Sequence, residues 1–98
     1  MKTTVFICTY NRGNLINGTL EALINNQTRN PNEIIIVNGG GENDCQKTLI
    51  KWKKEFPALN IIKTKNKNLA ASRNIGLAHC SGDLILQTDD DARPFPNW

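Results

Sequence analysis

Three adjacent carboxylates, Asp89-Asp90-Asp91, are the residues of this 98-residue chain best suited to chemistry. A pair of like charges ~4 Å apart costs ~1 kcal/mol in water and ~4 kcal/mol at the effective dielectric of a partly buried site. At the end of a buried strand, a hard divalent cation relieves that repulsion. Mg²⁺ or Mn²⁺ takes one or two carboxylates and completes its shell with diphosphate oxygens. A solvated acidic turn is the competing reading of the same three residues. The cluster lacks the glycine and terminal glutamate of an EF-hand loop. Pro94 and Pro96 keep the following chain extended under either reading.

Other candidates are dispersed along the chain. Thr9-Tyr10-Asn11-Arg12 offers a hydroxyl, an aromatic ring and a guanidinium in succession. Tyr10 suits stacking on a base, or simply covering the rim of a sheet. Asn38 is followed by Gly39-Gly40-Gly41, a run that invites a dinucleotide reading but fails its fingerprint, with Asp44 where the third glycine belongs. A permissive loop entering a helix accounts for at least part of that run. No Gly-Lys-Ser/Thr is present, which excludes a P-loop. Arg73 suits a diphosphate or a base, or else a plain helix surface. Lys63, Lys65 and Lys67 alternate with polar residues as at a solvated strand end, and His79 and Trp52 read as packing or surface residues.

Elements able to position these groups follow from the apolar pattern. Four runs rich in β-branched residues, Thr4–Cys8, Glu33–Val37, Asn60–Thr64 and Asp83–Gln87, read as strands, and near-continuous runs such as Ile34-Ile35-Ile36-Val37 suit strands buried on both faces. Between them, Leu15, Ile16, Leu20, Leu23 and Ile24 fall at helical spacing, as do Leu49, Ile50, Trp52 and Phe56. A third stripe runs through Leu69, Ala71, Ile75 and Ala78, with Asn68 placed as its N-cap. Pro31 and Pro57 stand in the connections after helices have ended. The resulting β-α-β-α-β-α-β string predicts an α/β fold with right-handed crossovers. Expected is a Rossmann-like three-layer half-domain of four parallel strands in the order 3-2-1-4 with three helices. In that order the connections reverse between strands 1 and 4, and ligands favour the crevice at the carboxyl ends flanking such a reversal. Thr9–Arg12, Asn38–Gly41, Arg73 and Asp89–Asp91 then share one rim. Strand 83–87 becomes an edge whose apolar Leu84-Ile85-Leu86 favours pairing with a second copy.

Composition narrows the class. Hydrophobic content of 39% and charge of 21% are ordinary for one soluble domain. No apolar run approaches the ~18 residues that span a bilayer. The opening apolar run meets Asn11-Arg12 without a small-residue cleavage site, so it reads as a buried strand rather than a signal peptide. Three cysteines without C-x-x-C spacing favour free thiols in a reducing compartment, and hence the cytoplasm. A net charge of +3 does not argue for nucleic acid.

These residues together resemble the family 2 glycosyltransferases of the GT-A fold. Val5-Phe6-Ile7-Cys8-Thr9-Tyr10-Asn11-Arg12 looks like that family's opening strand and nucleotide loop, and Glu33–Val37 like its second strand. Asn68-Leu69-Ala70-Ala71-Ser72-Arg73-Asn74-Ile75-Gly76 is similar to its alanine–arginine–asparagine–x–glycine helix, and Ser81-Gly82-Asp83 to the turn before strand 4. Thr88-Asp89-Asp90-Asp91, followed by Pro96 and Trp98, looks like its D-x-D motif and trailing segment. The resemblance implies inversion at a sugar's anomeric carbon, with a nucleotide diphosphate sugar as donor and a hydroxyl acceptor. It implies that Thr9, Tyr10, Arg12, Asn38, Arg73, Asp89 and Asp90 bind the nucleotide, and that Asp89 and Asp91 hold Mg²⁺ or Mn²⁺. The family's usual aspartate after strand 2 is Asn38 here, with Gly39 next. Its general base lies beyond the segment matched by residues 1–98, so these residues are expected to be a nucleotide-sugar-binding half without a catalytic residue of their own. A stand-alone nucleotide-binding or interaction module without catalysis is the alternative.

Overall fold

The computed structural model describes residues 2–42, 44–65 and 69–94. The strands are β1 (Thr3–Thr9), β2 (Glu33–Asn38), β3 (Leu59–Lys63) and β4 (Leu84–Asp89). A 3₁₀ turn, Gly13–Leu15, leads into α1 (Ile16–Ile24); α2 is Gln46–Glu55 and α3 is Leu69–His79. All strand pairings are parallel and the sheet order is β3-β2-β1-β4, as expected. Each strand shifts by a residue or two from its expected bounds. The largest change is at β4, which starts at Leu84 and runs on to Asp89, so the first of the three carboxylates belongs to the strand itself.

Alternation along the strands sorts the core into two layers. Val5, Ile7, Ile34 and Ile36 face α1 and α2, where they pack with Ile16, Leu20, Leu23, Cys45 and Leu49. Phe6 and Val37 face the other way and meet α3 at Gly76, where an added Cβ would lie 2.7 Å from the Phe6 ring. The central strands β1 and β2 are thus covered on both faces, as parallel strands require, while the outer strands β3 and β4 are partly exposed.

Three expectations about helix faces need correction. Leu15 and Ile50 are 46% and 47% exposed, so neither belongs to the core. Leu15 falls in the 3₁₀ turn before α1, and Ile50 sits about 100° around α2 from buried Leu49. On α3 the closest packing is made by Ser72 and Gly76, with Ala71 and Ile75 half-buried and Ala78 exposed. Small side chains let α3 approach Phe6 and Val37, and a count of large apolar residues misses such a face. Asn68, Lys67, Pro96 and Trp98 lie outside the described residues.

Polar contacts lock the amino end of the sheet. Thr4 is fully buried, and its hydroxyl donates to Glu33 Oε1 at 2.8 Å while accepting the Gly82 N–H at 2.9 Å. The Ser81 N–H and hydroxyl donate to the same carboxylate. Burial alone would raise the Glu33 pKa, but these hydrogen bonds from Ser81 and Thr4, with the charge of Lys2, hold it below the usual range. At this end an apolar groove of about 340 Å³ opens between α1 and β4, lined by Val5, Leu23, Leu84 and Leu86 with Arg29 beside them.

Candidate functional site

The opposite, carboxyl end carries the groups singled out in the sequence. Because β4 pairs with β1 in the register Cys8↔Asp89, the chain leaving β4 passes directly beside the chain leaving β1. The Thr9 hydroxyl donates to Asp90 Oδ2 at 2.8 Å, and Asp90 is only 7% exposed. Arg12 reaches over the same turn, with Nη2 3.2 Å from Asp91 Oδ2 and 3.6 Å from Asp90 Oδ1. Asp89 and Asp91 are exposed.

The three carboxylates therefore share a rim without converging on one point. Among the described residues, no three His, Cys, Asp or Glu side chains group as a ligand set. Asp89 ends β4 while Asp90 and Asp91 lie in the turn that follows, where the Thr9 hydroxyl holds Asp90 inward and its two neighbours stay in solvent. Two exposed carboxylates are nonetheless the protein share that Mg²⁺ or Mn²⁺ takes when diphosphate oxygens complete the shell. Asp89 and Asp91 supply hard oxygen donors of that kind, so the residues fit the ion.

Backbone contacts fix the loops on either side. The Asn11 N–H donates to Gly40 O at 2.7 Å and the Gly39 N–H to Thr9 O at 2.8 Å, tying the β1 and β2 exits together. Gly40 and Gly41 have φ of +81° and +99°, and a Cβ at Gly41 would lie 2.6 Å from the Asn11 Cβ. Glycine is required at position 41 both for the conformation and for the contact.

Asn38 is almost wholly consumed by the protein. It is 1% exposed, and its Nδ2 donates to Asp44 Oδ1 and to Gln46 Oε1, both at 2.8 Å. Its Oδ1 accepts the Gly40 N–H at 3.0 Å. The bond from Asn38 is the main reason the Asp44 carboxyl stays below its usual pKa, with the Gln46 N–H and Lys63 contributing. Asn38 thus joins the glycine loop to the start of α2. Arg73 is exposed near the start of α3, and its charge is felt at Cys8. Burial pushes the Cys8 thiol up, and Arg73 partly offsets that. Tyr10 is half-buried at the exit of β1.

Sequence reasoning missed a clasp behind the acidic turn. Thr19, fully buried on α1, donates its hydroxyl to Ala92 O at 2.6 Å and accepts from Arg93 Nη1 at 3.2 Å. The Arg93 guanidinium lies directly against Gly18, where any Cβ would displace it. A Gly-Thr pair inside an otherwise apolar helical stripe was the available signal.

A parallel α/β sheet whose loops meet at the switch point defines the class of fold that binds its ligands in that crevice. The family model "Glycosyl transferase family 2" matches residues 4–98, and the chain belongs to that family. It is 40% identical over 94 residues to the uncharacterized glycosyltransferase YwdF of Bacillus subtilis, covering 93% of this chain and 33% of that protein. It is 28% identical over 97 residues to the hyaluronan synthase of Pasteurella multocida, covering 97% of this chain and 10% of that one. The mannosyltransferase PcManGT of Pyrobaculum calidifontis, solved with GDP-Man and Mn²⁺, superposes with a TM-score of 0.81 at 26% identity, covering 93% and 28%. S. aureus TarS shares the fold with a TM-score of 0.81 at 20% identity, covering 99% of this chain and 18% of that one. The chain spans a third or less of the length of each of these relatives.

Proposed function

We propose that residues 1–98 are the nucleotide-sugar- and divalent-metal-binding half of an inverting glycosyltransferase. The observation behind this reading is the meeting of the β1 and β4 exits, where Arg12 reaches Asp91 at 3.2 Å while Asp89 and Asp91 stay exposed. Membership of the glycosyl transferase family supports the reaction class. A neighbour solved with GDP-Man and Mn²⁺ supports a nucleotide donor and a divalent ion.

Each residue then has a role. Tyr10 stacks on the base, and Arg12 and Arg73 take the negative charge of the nucleotide. Thr9 and Asp90 fix the acidic turn beneath it, and Asn38 shapes the loop under the base. Asp89 and Asp91 would hold Mg²⁺ or Mn²⁺, whose chemistry would be to stabilise the charge that builds on the departing diphosphate. In transfer, an acceptor hydroxyl oxygen attacks the anomeric carbon from the face opposite the leaving diphosphate, whose C–O bond breaks. The hydroxyl proton needs a base, which we assign outside residues 1–98. The isolated chain is accordingly inactive in transfer. We also propose a cytoplasmic protein, in keeping with three free cysteines, in which strand β4 supports self-association. No helix among the described residues is long and apolar enough to cross a membrane.

Calorimetric titration with UDP, GDP and other nucleoside diphosphates tests the reading. Binding is expected only with Mg²⁺ or Mn²⁺ present, and Asp91→Ala should abolish that metal dependence. Equal affinity with and without metal overturns it in favour of a solvated acidic turn.

A further inference from the structure

Two arginines flank the acidic turn, and they are held in opposite ways. Arg93 is clasped: it lies against Gly18, donates to Thr19 and to Ala92 O, and so belongs to the scaffold. Arg12 is loose. Its side chain is 45% exposed, and its contacts to the turn all run through one nitrogen, Nη2. The backbone that delivers it is fixed, because Asn11 sits at φ +53° with its N–H bonded to Gly40 O. Arg12 is thus an exposed charge on a fixed backbone, within reach of Asp90 and Asp91.

We infer that Arg12 is an exchangeable counter-ion: it neutralises Asp91 in the ligand-free protein and passes to the donor diphosphate when a divalent ion takes Asp91. This rests on the reading of Asp89 and Asp91 as the metal-holding pair. The physical case has three parts. Adjacent carboxylates need a cation, and Arg12 is the one the described residues place against them. A divalent ion arriving at Asp91 meets the guanidinium a few ångströms away, so the two cations exclude one another electrostatically. Exposed ion pairs of this kind are held weakly, so release is easy, and the guanidinium fork matches phosphate oxygens better than a single carboxylate contact. Metal and nucleotide should therefore each bind poorly alone and well together, with Arg12 as the coupling element.

The distinguishing signature is a change of opposite sign in two affinities. Free Mn²⁺ measured by electron paramagnetic resonance reports metal binding without nucleotide, and calorimetry with a nucleoside diphosphate and saturating Mn²⁺ reports donor binding. Arg12→Gln should bind Mn²⁺ alone about three- to ten-fold more tightly than wild type, and the diphosphate about ten-fold more weakly. Arg12→Lys keeps the charge, so its Mn²⁺ affinity should stay within about two-fold of wild type, while diphosphate binding still falls for want of the fork. Asp91→Asn identifies the site and should remove Mn²⁺ binding from both backgrounds. If wild type and Arg12→Gln bind Mn²⁺ equally in an Asp91-dependent way, or the variant binds it more weakly, the exchange is wrong while the metal reading stands. If neither binds Mn²⁺ through Asp91, the metal reading falls and the exchange with it.

Discussion

Thr9 and Asp90, 81 positions apart, share a buried 2.8 Å hydrogen bond that joins the exit of β1 to the turn after β4. A carboxylate this deep needs its partners, and hydrogen bonds to charged groups contribute about 1.5–3 kcal/mol. Thr9→Val keeps the shape and removes the donor, so it should lower unfolding free energy by about 2 kcal/mol. Thr9→Ser keeps the donor and should cost only about 0.8 kcal/mol, the loss of one buried methyl. Urea unfolding of the three proteins checks this; equal stability for Val and Ser would mean that the bond contributes nothing.

Gly18 and Arg93 form a second pair whose effect on stability and on binding should diverge. Gly18→Ala improves helix propensity by about 1 kcal/mol but displaces the guanidinium, which is the far end of a flexible side chain. Stability should therefore change by less than about 1 kcal/mol, while metal-dependent nucleotide binding weakens because the turn loses its clasp. Arg93→Ala should produce the same loss, and the double variant no more than either alone. Additive losses would show that the two residues act separately.

Much of this arrangement was legible in the sequence, and the reason differs from part to part. Ile34-Ile35-Ile36-Val37 is apolar on both faces, which only a covered parallel strand needs, and the order of such strands places Thr9–Arg12 beside Asp89–Asp91. What escaped was mostly direction. Ile50 adjoins buried Leu49 in sequence yet faces solvent, because successive helix positions point about 100° apart, and Asp90 is held inward by Thr9 in the turn between two exposed aspartates. Asn38 suits a base by type, yet its donors are taken by Asp44 and Gln46, a contact no spacing rule encodes. The Thr19 clasp works through a backbone carbonyl, so the Gly18-Thr19 pair marks its place on α1 without naming its partner.

The amino-end lock carries a pH signature. The Glu33 carboxyl is held below its ordinary range in the folded protein, so it adds stability above the unfolded-state pKa of about 4.3. That stability is lost as pH falls through the folded value. Glu33→Gln should therefore destabilise the protein near neutral pH and flatten the fall in stability below about pH 4. Melting temperatures across that range, compared with wild type, measure it. Parallel acid limbs for the two proteins would exclude Glu33 as a contributor.

The outer strand gives the last expectation. Among the described residues β4 is paired on one side only, with β1, and Leu84 and Ile85 are 40% and 38% exposed on opposite faces. An apolar edge without lysine or proline is a template for a further strand. A second copy meeting it antiparallel about Ile85 would set Leu84 opposite Leu86 and Asp83 opposite Gln87, with no like charges facing each other. β3, at the other edge, ends on Lys63, which pairs with Asp44 at 3.6 Å, and is better protected. Sedimentation over a wide concentration range should show a monomer–dimer equilibrium for the 98-residue chain. Ile85→Lys should shift it toward monomer by placing a charge at the centre of the pairing, with a modest loss of stability because the position is only partly buried. Arg29→Ala, in the groove beside the strand, changes no edge residue and should leave the equilibrium as it is. A wild-type chain that stays monomeric at the highest concentrations would show that the β4 edge does not pair.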